Sequence, residues 1–327
     1  MTSRRRFIAT AAASSVLFPA AKGAEPGGTK LAGVFAIPQT PFLDSGAFDT
    51  ETLASEIEFL HRMGVQGITW PVNASEWSQL TVEERFAGTE TIIRANRKAE
   101  AAKRPAVVIA VQSDDVDTAV KIARHADKTG ADSILAIPYK SGVRTTDDQQ
   151  MDYYSAIAAA SAKPMFVQAI GDMSVDLIQR IAKKNPTVRY VKDEAGNTTA
   201  RLAEYRLREK IPDGIFTGKH GPNFVDDLER GAVGQMPAAG IADLYVATWM
   251  AWKAGKKDLA QEMHSKTLLL AMHAVNYGVA GQKYILQLRG VFKNSVCRRD
   301  AGALVFDADA KKAIEATLHY LKPWLRA

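Results

Sequence analysis

The sequence predicts an α/β protein built as a single (β/α)8 TIM barrel with a small C-terminal helical extension. Three observations predict it. From Leu31 onward, short apolar runs rich in β-branched residues alternate with longer stretches of helical period, the rhythm of βα units around a parallel sheet. Eight such pairs can be counted. Together they occupy about 225 residues, which matches a closed barrel, whereas a doubly wound sheet normally stops at five to seven strands.

The first unit runs from a strand over 33–38 to a helix over 50–63, and the second from 67–72 to 82–98. Thr81 ahead of Val-Glu-Glu gives the second helix a T-x-x-E capping signal. In the third unit a strand over 106–112 leads to a helix over 116–129 opened by Asp114 or Asp115. Units four to six pair 133–138 with 147–160, 165–170 with 175–184, and 188–192 with 199–209. The last two pair 214–218 with 223–230 and 234–238 with 244–254. Gly64, Gly130 and Gly231 stand where helix ends want a residue tolerant of positive φ. Beyond the eighth unit, helices are predicted over 259–276 and 282–292, an irregular segment over 293–306, and a helix over 308–325. The domain reading is therefore an export signal over 1–23, a linker over 24–30, the barrel over 31–255 and the helical extension over 256–327.

The export signal also explains the charge. The 327 residues carry 42 Lys and Arg against 36 Asp and Glu, a formal +6 that on its own would suggest nucleic acid or an anionic membrane. Four of those cations lie in the first 22 residues, where Arg4, Arg5 and Arg6 lead into an apolar run over 7–18 that is too short to span a bilayer. The string S-R-R-R-F-I-A over 3–9 resembles the twin-arginine export motif, and Ala21 and Gly23 would permit cleavage before Ala24. The mature chain would have 304 residues and a charge of +2, with no nucleic-acid partner and no stable membrane insertion. It would be exported to the periplasm or beyond by the twin-arginine machinery.

An apolar share of 46% excludes wholesale disorder. The single cysteine, Cys297, excludes an internal disulfide and thiolate metal sites. No P-loop, G-x-G-x-x-G, H-x-x-x-H pair or G-x-S-x-G elbow is present, so neither cofactor nor metal is expected.

In barrels of this kind the chemistry sits at the C-terminal ends of the strands. The polar residues there include Asn73 and Ser75 after strand two, Tyr139 and Lys140 after four, and Gln168 on five. Lys192 and Glu194 follow at six, and Lys219 and His220 at seven. Lys192 ends the run V-R-Y-V-K, where period two puts it on one face with Val188 and Tyr190. If that face is the barrel interior, poor solvation favours the neutral, nucleophilic amine that condenses with carbonyls. The competing reading is a static ion pair of Lys192 with Asp193 or Glu194.

K-D-E-A-G-N over 192–197 resembles the K-E-A-x-G-x motif of the dihydrodipicolinate synthase and N-acetylneuraminate lyase family, class I aldolases that form a Schiff base with pyruvate-like 2-oxo acids. Thr40-Pro41-Phe42, Glu76 with Leu80-Thr81-Val82-Glu83-Glu84, and Ile137-Pro138-Tyr139 resemble further family motifs. Gly281-Gln282-Lys283 does so less closely, and the likeness covers about residues 31–325. It implies that Lys192 is the imine lysine and that the protein is a homo-oligomer, dimer or tetramer.

The departures are as informative. The family's G-T-T-G-E loop is here Val72-Asn73-Ala74-Ser75-Glu76, so Asn73 and Ser75 are expected to hold the substrate carboxylate, while Ala74 cannot relay a proton. The family's catalytic tyrosine on strand five is Gln168, which does not titrate. The arginine that clamps the second substrate in the synthases has no counterpart in Gly171-Asp172-Met173-Ser174, which argues against dihydrodipicolinate synthase activity. A tyrosine donated across subunits in the family is Lys140, and two acids on strand seven are Lys219 and His220.

Lys140, Lys219 and His220 form a candidate anion cluster. Glu194 is a candidate general acid/base or an ion-pair partner of Lys219, and Tyr139 is a candidate phenol or a packed ring. The remaining histidines fall on predicted outer helices. The function expected is a lyase acting on a small 2-oxo acid through a Schiff base on Lys192. The alternatives are a catalytically degenerate barrel that binds an oxo acid or sugar acid, and a Schiff-base sugar-acid dehydratase.

Overall fold

The apolar runs fold as strands and the amphipathic stretches as the helices that return the chain, and the strands close in sequence order into a parallel barrel. The structure, a computed structural model, describes residues 30–208, 211, 213–299 and 305–326. The expected export signal lies outside the described residues.

The strands are β1 (Gly33–Ala36), β2 (Gly67–Trp70), β3 (Ala106–Ala110), β4 (Ser133–Ala136), β5 (Met165–Ala169), β6 (Val188–Asp193), β7 (Gly214–Thr217) and β8 (Gly234–Gln235). Their outer ring is α1 (Thr50–Met63), α2 (Val82–Asn96), α3 (Val116–Thr129), α4 (Asp147–Ala159), α5 (Val175–Lys184), α6 (Thr198–Arg206), α7 (Phe224–Glu229) and α8 (Ala242–Lys253). Thr81 and Glu84 form a reciprocal capping box on α2, and Asp115 caps α3 by accepting the Thr118 N–H.

The outer faces of the strands pack against the helices, while the barrel interior is a separate apolar plug that includes Phe35, Phe166, Tyr190 and Phe216. The Phe35 and Phe216 rings lie 4.9 Å apart and those of Phe166 and Tyr190 4.6 Å apart. This plug is the floor on which Lys192 stands.

The alternation along β6 differs from expectation in one respect. Tyr190 faces the interior plug, but Val188 belongs to the outer layer with Val191. The cause is a bulge: Met165 pairs with Val188 while the next residue, Phe166, pairs with Tyr190, leaving Arg189 as the extra residue. The bulge resets the phase so that Tyr190 and Lys192 both point inward.

After the barrel, the two expected helices are one, α9 (Lys257–Leu288), bent at Gly278, whose φ of 55° and ψ of −146° are not helical. The chain ends in α10 (Ala308–Leu321) and a 3-10 turn. Residues 293–299 are held to the barrel by long-range polar pairs. Lys293 bonds Asp49, Asn294 bonds Asp44, and Arg298 makes a two-pronged contact with Glu84 and stacks 4.3 Å over the Phe42 ring. No helix among the described residues is long and apolar enough to cross a membrane.

One buried acid makes a measurable difference to stability. Glu56 on α1 is fully buried, with Oε1 accepting the Gln39 N–H at 3.1 Å and Oε2 unpartnered among the described residues. Burial pushes its carboxyl well above the usual carboxylate range, against the opposing pull of the Gln39 N–H and the Lys283 charge. The native state therefore keeps a proton that the unfolded chain releases near 4.5, so this group costs stability as pH rises from there toward its folded value. Glu56→Gln removes that loss. In denaturant titrations at pH 5 and pH 8, the variant's stability is expected to fall less between the two than the wild type's; an equal or steeper fall would contradict the assignment.

Candidate active site

The site is assembled at the C-terminal mouth of the barrel by strand ends whose register is fixed by the ladder. Gln168 on β5 pairs directly with Lys192 on β6, and Lys192 with Phe216 on β7. The Lys192 side chain is 2% exposed, and its Nζ lies 3.2 Å from Glu194 Oε1. Asp193 turns the other way, accepting from Arg201 Nε at 2.8 Å and from the Tyr205 hydroxyl at 2.9 Å. Of the two acids that could pair with Lys192, the geometry thus assigns Glu194.

Glu194 is aimed from three sides. Gln168 Nε2 donates to its Oε2 at 2.6 Å, and the Lys219 backbone N–H donates to its Oε1 at 3.1 Å. Burial opposes ionisation, but the Lys192 ammonium, the Lys219 N–H and the Gln168 amide together hold the carboxyl below its usual range. The Lys219 ammonium is engaged elsewhere, donating to Gly196 O at 2.6 Å.

The loop after β7 is bent to make this possible. Lys219, His220 and Gly221 all have positive φ, of 51°, 56° and 50°. For the two non-glycine residues this costs roughly 1–2 kcal/mol each. The bend is held by the Tyr245 hydroxyl, which donates to His220 O, and by Gln235 Nε2, which donates to Gly218 O at 3.0 Å. It half-buries the His220 side chain, whose Nδ1 is buried and unpartnered among the described residues. Burial, reinforced by Lys192 and opposed by Glu194, lowers the imidazole's affinity for a proton below the ordinary value.

Across the mouth, Asn73–Ser75 form a 3-10 turn. Trp77 Nε1 donates to Asn73 Oδ1 at 2.9 Å, which orients the amide and leaves Asn73 Nδ2 as a donor with no partner among the described residues. Behind the turn, Glu76 and Lys283 form a fully buried ion pair at 2.5 Å, and Lys283 also donates to Val296 O at 2.7 Å.

Lys192 and Glu194 line a cavity of about 890 Å³. The sequence profile of the dihydrodipicolinate synthetase family matches residues 30–320 of this chain. The chain belongs to that family. It is 27% identical over 267 residues to the L-2-keto-3-deoxyarabonate dehydratase of Azospirillum brasilense, covering 79% of this chain and 85% of that one. It is 26% identical over 291 residues to the 4-hydroxy-tetrahydrodipicolinate synthase of Rhizobium meliloti, covering 86% and 95% respectively. The fold superimposes on the sialic acid aldolase of Ruminococcus gnavus with a TM-score of 0.79 at 21% identity, covering 91% of this chain and all of that one. Members of the dihydrodipicolinate synthetase family are class I, Schiff-base lyases that act on small oxo acids and are typically oligomeric.

Within this family frame, Asn73, Gln168, Lys192, Glu194, Lys219 and His220 all line the cavity. Three other residues singled out from the sequence do not. Ser75 is buried and donates its hydroxyl to Pro38 O at 2.6 Å, because the 3-10 turn swings its side chain behind the loop. The Tyr139 ring packs 5.1 Å from that of Tyr153, and Lys140 Nζ sits 5.2 Å over the Tyr139 ring. Among the described residues, no hydroxyl side chain lines the cavity, and no group of three His, Cys, Asp or Glu is placed to hold a metal ion.

The cavity also has walls from beyond the barrel strands. Leu268, Met272, Val275 and Gln282 of α9 and Arg299 of the following segment line it. The apolar stripe of α9 was visible as a helix, but nothing in its period says which strand ends it covers.

Gly218 is the tightest constraint on the site. A Cβ there would lie 1.9 Å from Glu194 Oε1, far inside contact distance. Gly218→Ala is therefore expected to displace Glu194 and lower kcat by about 10²-fold, the smaller end of what a misplaced acid/base costs, while leaving the melting temperature within a few degrees. Wild-type kcat in the purified variant would contradict this placement.

Proposed function

We propose that the protein is a lyase acting on a 2-oxo sugar acid through a Schiff base on Lys192, with elimination of water as its reaction. The observation that carries this reading is the Lys192–Glu194 pair, 3.2 Å apart, in a cavity that no hydroxyl side chain lines among the described residues. Glu194 is then the one carboxylate among the lining residues, and it stands beside the nitrogen that would become the imine.

The steps follow from that placement. Glu194 takes a proton from the Lys192 ammonium, and the freed amine attacks the ketone carbon, C2, of the substrate. Glu194 returns the proton to the departing oxygen, water leaves, and a protonated imine remains. Asn73 Nδ2 holds the 1-carboxylate. The imine draws electrons from C3, and Glu194, again ionised, removes the C3 proton to give an enamine. The enamine's electrons expel the C4 hydroxyl, which takes the proton from Glu194 and leaves as water. Hydrolysis of the remaining imine regenerates Lys192.

Four polar side chains among the described lining residues, Asn73, Gln168, His220 and Gln282, favour a hydroxylated substrate. Each carries a group that can hydrogen-bond a substrate hydroxyl. The dehydratase activity named for the Azospirillum relative is of the same class. The missing synthase arginine, with Gly171 and Asp172 in that loop, argues against dihydrodipicolinate synthesis.

The test is product analysis with 2-keto-3-deoxy sugar acids. The reading expects loss of one water without release of pyruvate. Pyruvate release would reassign the reaction to carbon–carbon cleavage, and ligand affinity without any product would leave only a binding protein. We further propose that residues 1–23 direct twin-arginine export, on the strength of the arginine-led string over 3–9. Periplasmic protein beginning near Ala24 is expected, and Arg4→Lys with Arg5→Lys should retain it in the cytoplasm.

A further inference from the structure

Arg299 and its neighbour Arg298 have opposite fates. Arg298 is fully engaged, bonding Glu84, Gln79 O and Gly46 O. Among the described residues, Arg299 is fixed only through its backbone: its N–H donates to Glu76 Oε1 at 2.7 Å, on the same carboxylate that Lys283 pins through Oε2. Its guanidinium makes no hydrogen bond or ion pair among the described residues, and the residue lines the cavity. Arg298 thus staples the segment while Arg299 is presented.

The charge of the lining points the same way. Among the described lining residues, three basic side chains, Lys192, Lys219 and Arg299, stand against one carboxylate, Glu194, an excess of two positive charges. A 2-oxo acid with one carboxylate balances one of them. A dianion balances both.

We propose that Arg299 is a specificity-determining residue that binds a second, distal carboxylate, so that the substrates are 2-oxo diacids such as those derived from sugar diacids. The inference rests on Lys192 anchoring the 2-oxo end. It assigns the distal anion to a side chain from the C-terminal segment, whereas the loop after β5, Gly171 and Asp172, offers no cation. A guanidinium suits the task because its planar fork matches a carboxylate with two parallel hydrogen bonds.

The experiment compares 2-oxoadipate with 2-oxohexanoate, which have the same chain length and differ in the distal carboxylate, by calorimetric titration of the full chain. The wild type is expected to bind the diacid at least about ten-fold more tightly. Arg299→Gln should bring the diacid to the affinity of the monoacid without changing the monoacid, and Arg299→Lys should keep part of the preference. Folding is not at stake, since the bond that positions this segment is made by the backbone N–H. Equal affinities in the wild type, or equal weakening of both ligands in Arg299→Gln, would overturn the proposal. Borohydride reduction of the same complexes separates it from the lyase reading: preference without a trapped adduct sinks the imine and keeps Arg299, and an adduct without preference does the reverse.

Discussion

Lys192→Ala is expected to give a folded barrel with no measurable turnover. The lysine supplies the nitrogen on which the proposed chemistry takes place, and among the described residues the one other lysine that lines the cavity, Lys219, has its amine tied to Gly196 O. Removing it leaves the Glu194 carboxylate with two donors, Gln168 Nε2 and the Lys219 N–H, and open to the cavity. The stability cost is therefore about 1–3 kcal/mol, that of a lost charged hydrogen bond, and not a collapse of the core. Lys192→Arg is the informative companion. It keeps a cation beside Glu194 but offers no amine that condenses with a ketone, so it should restore stability without restoring turnover. Activity in either variant would exclude Lys192 as the nucleophile.

Glu194→Gln should lower kcat on the order of 10²–10⁴-fold, the range for removing a positioned acid/base, with a much smaller change in KM. Glutamine can still accept the Lys219 N–H, so the loop is expected to stay in place. The pH profile gives a second readout. Because the carboxyl is held below its usual range by Lys192, the Lys219 N–H and Gln168 against the effect of burial, it remains ionised down to pH values below the ordinary 4.5. In the wild type, kcat/KM should therefore begin to fall on the acid side only below that value, and this limb should be missing in Glu194→Gln. An acid limb centred above 4.5, unchanged in the variant, would assign the titrating base to another group.

The fold was legible because the βα rhythm is set by local periodicity, which each unit repeats. Lys192, Glu194 and Gln168 were legible for the same reason: they stand at strand ends, where register fixes their direction. The phase of β6 was not, because its bulge leaves Arg189 on a run that reads as unbroken alternation. Ser75, Tyr139 and Lys140 lie in loops, where side-chain direction follows turn geometry and not period, and the 3-10 turn and the Tyr153 ring take two of them out of the cavity. The kink of α9 was visible as a break in helical pattern between 276 and 282, though not that one bent helix spans it. Arg299 carried no signal at all. Its place depends on contacts such as that of Arg298 with Glu84, more than 200 residues away in sequence.

The central claim is the imine. Pyruvate and borohydride are incubated with the protein, and the intact mass and the modified peptide are read. The account predicts one reduced pyruvyl adduct per chain, located on Lys192 and absent from Lys192→Ala. No adduct, or one that persists in Lys192→Ala, would contradict it.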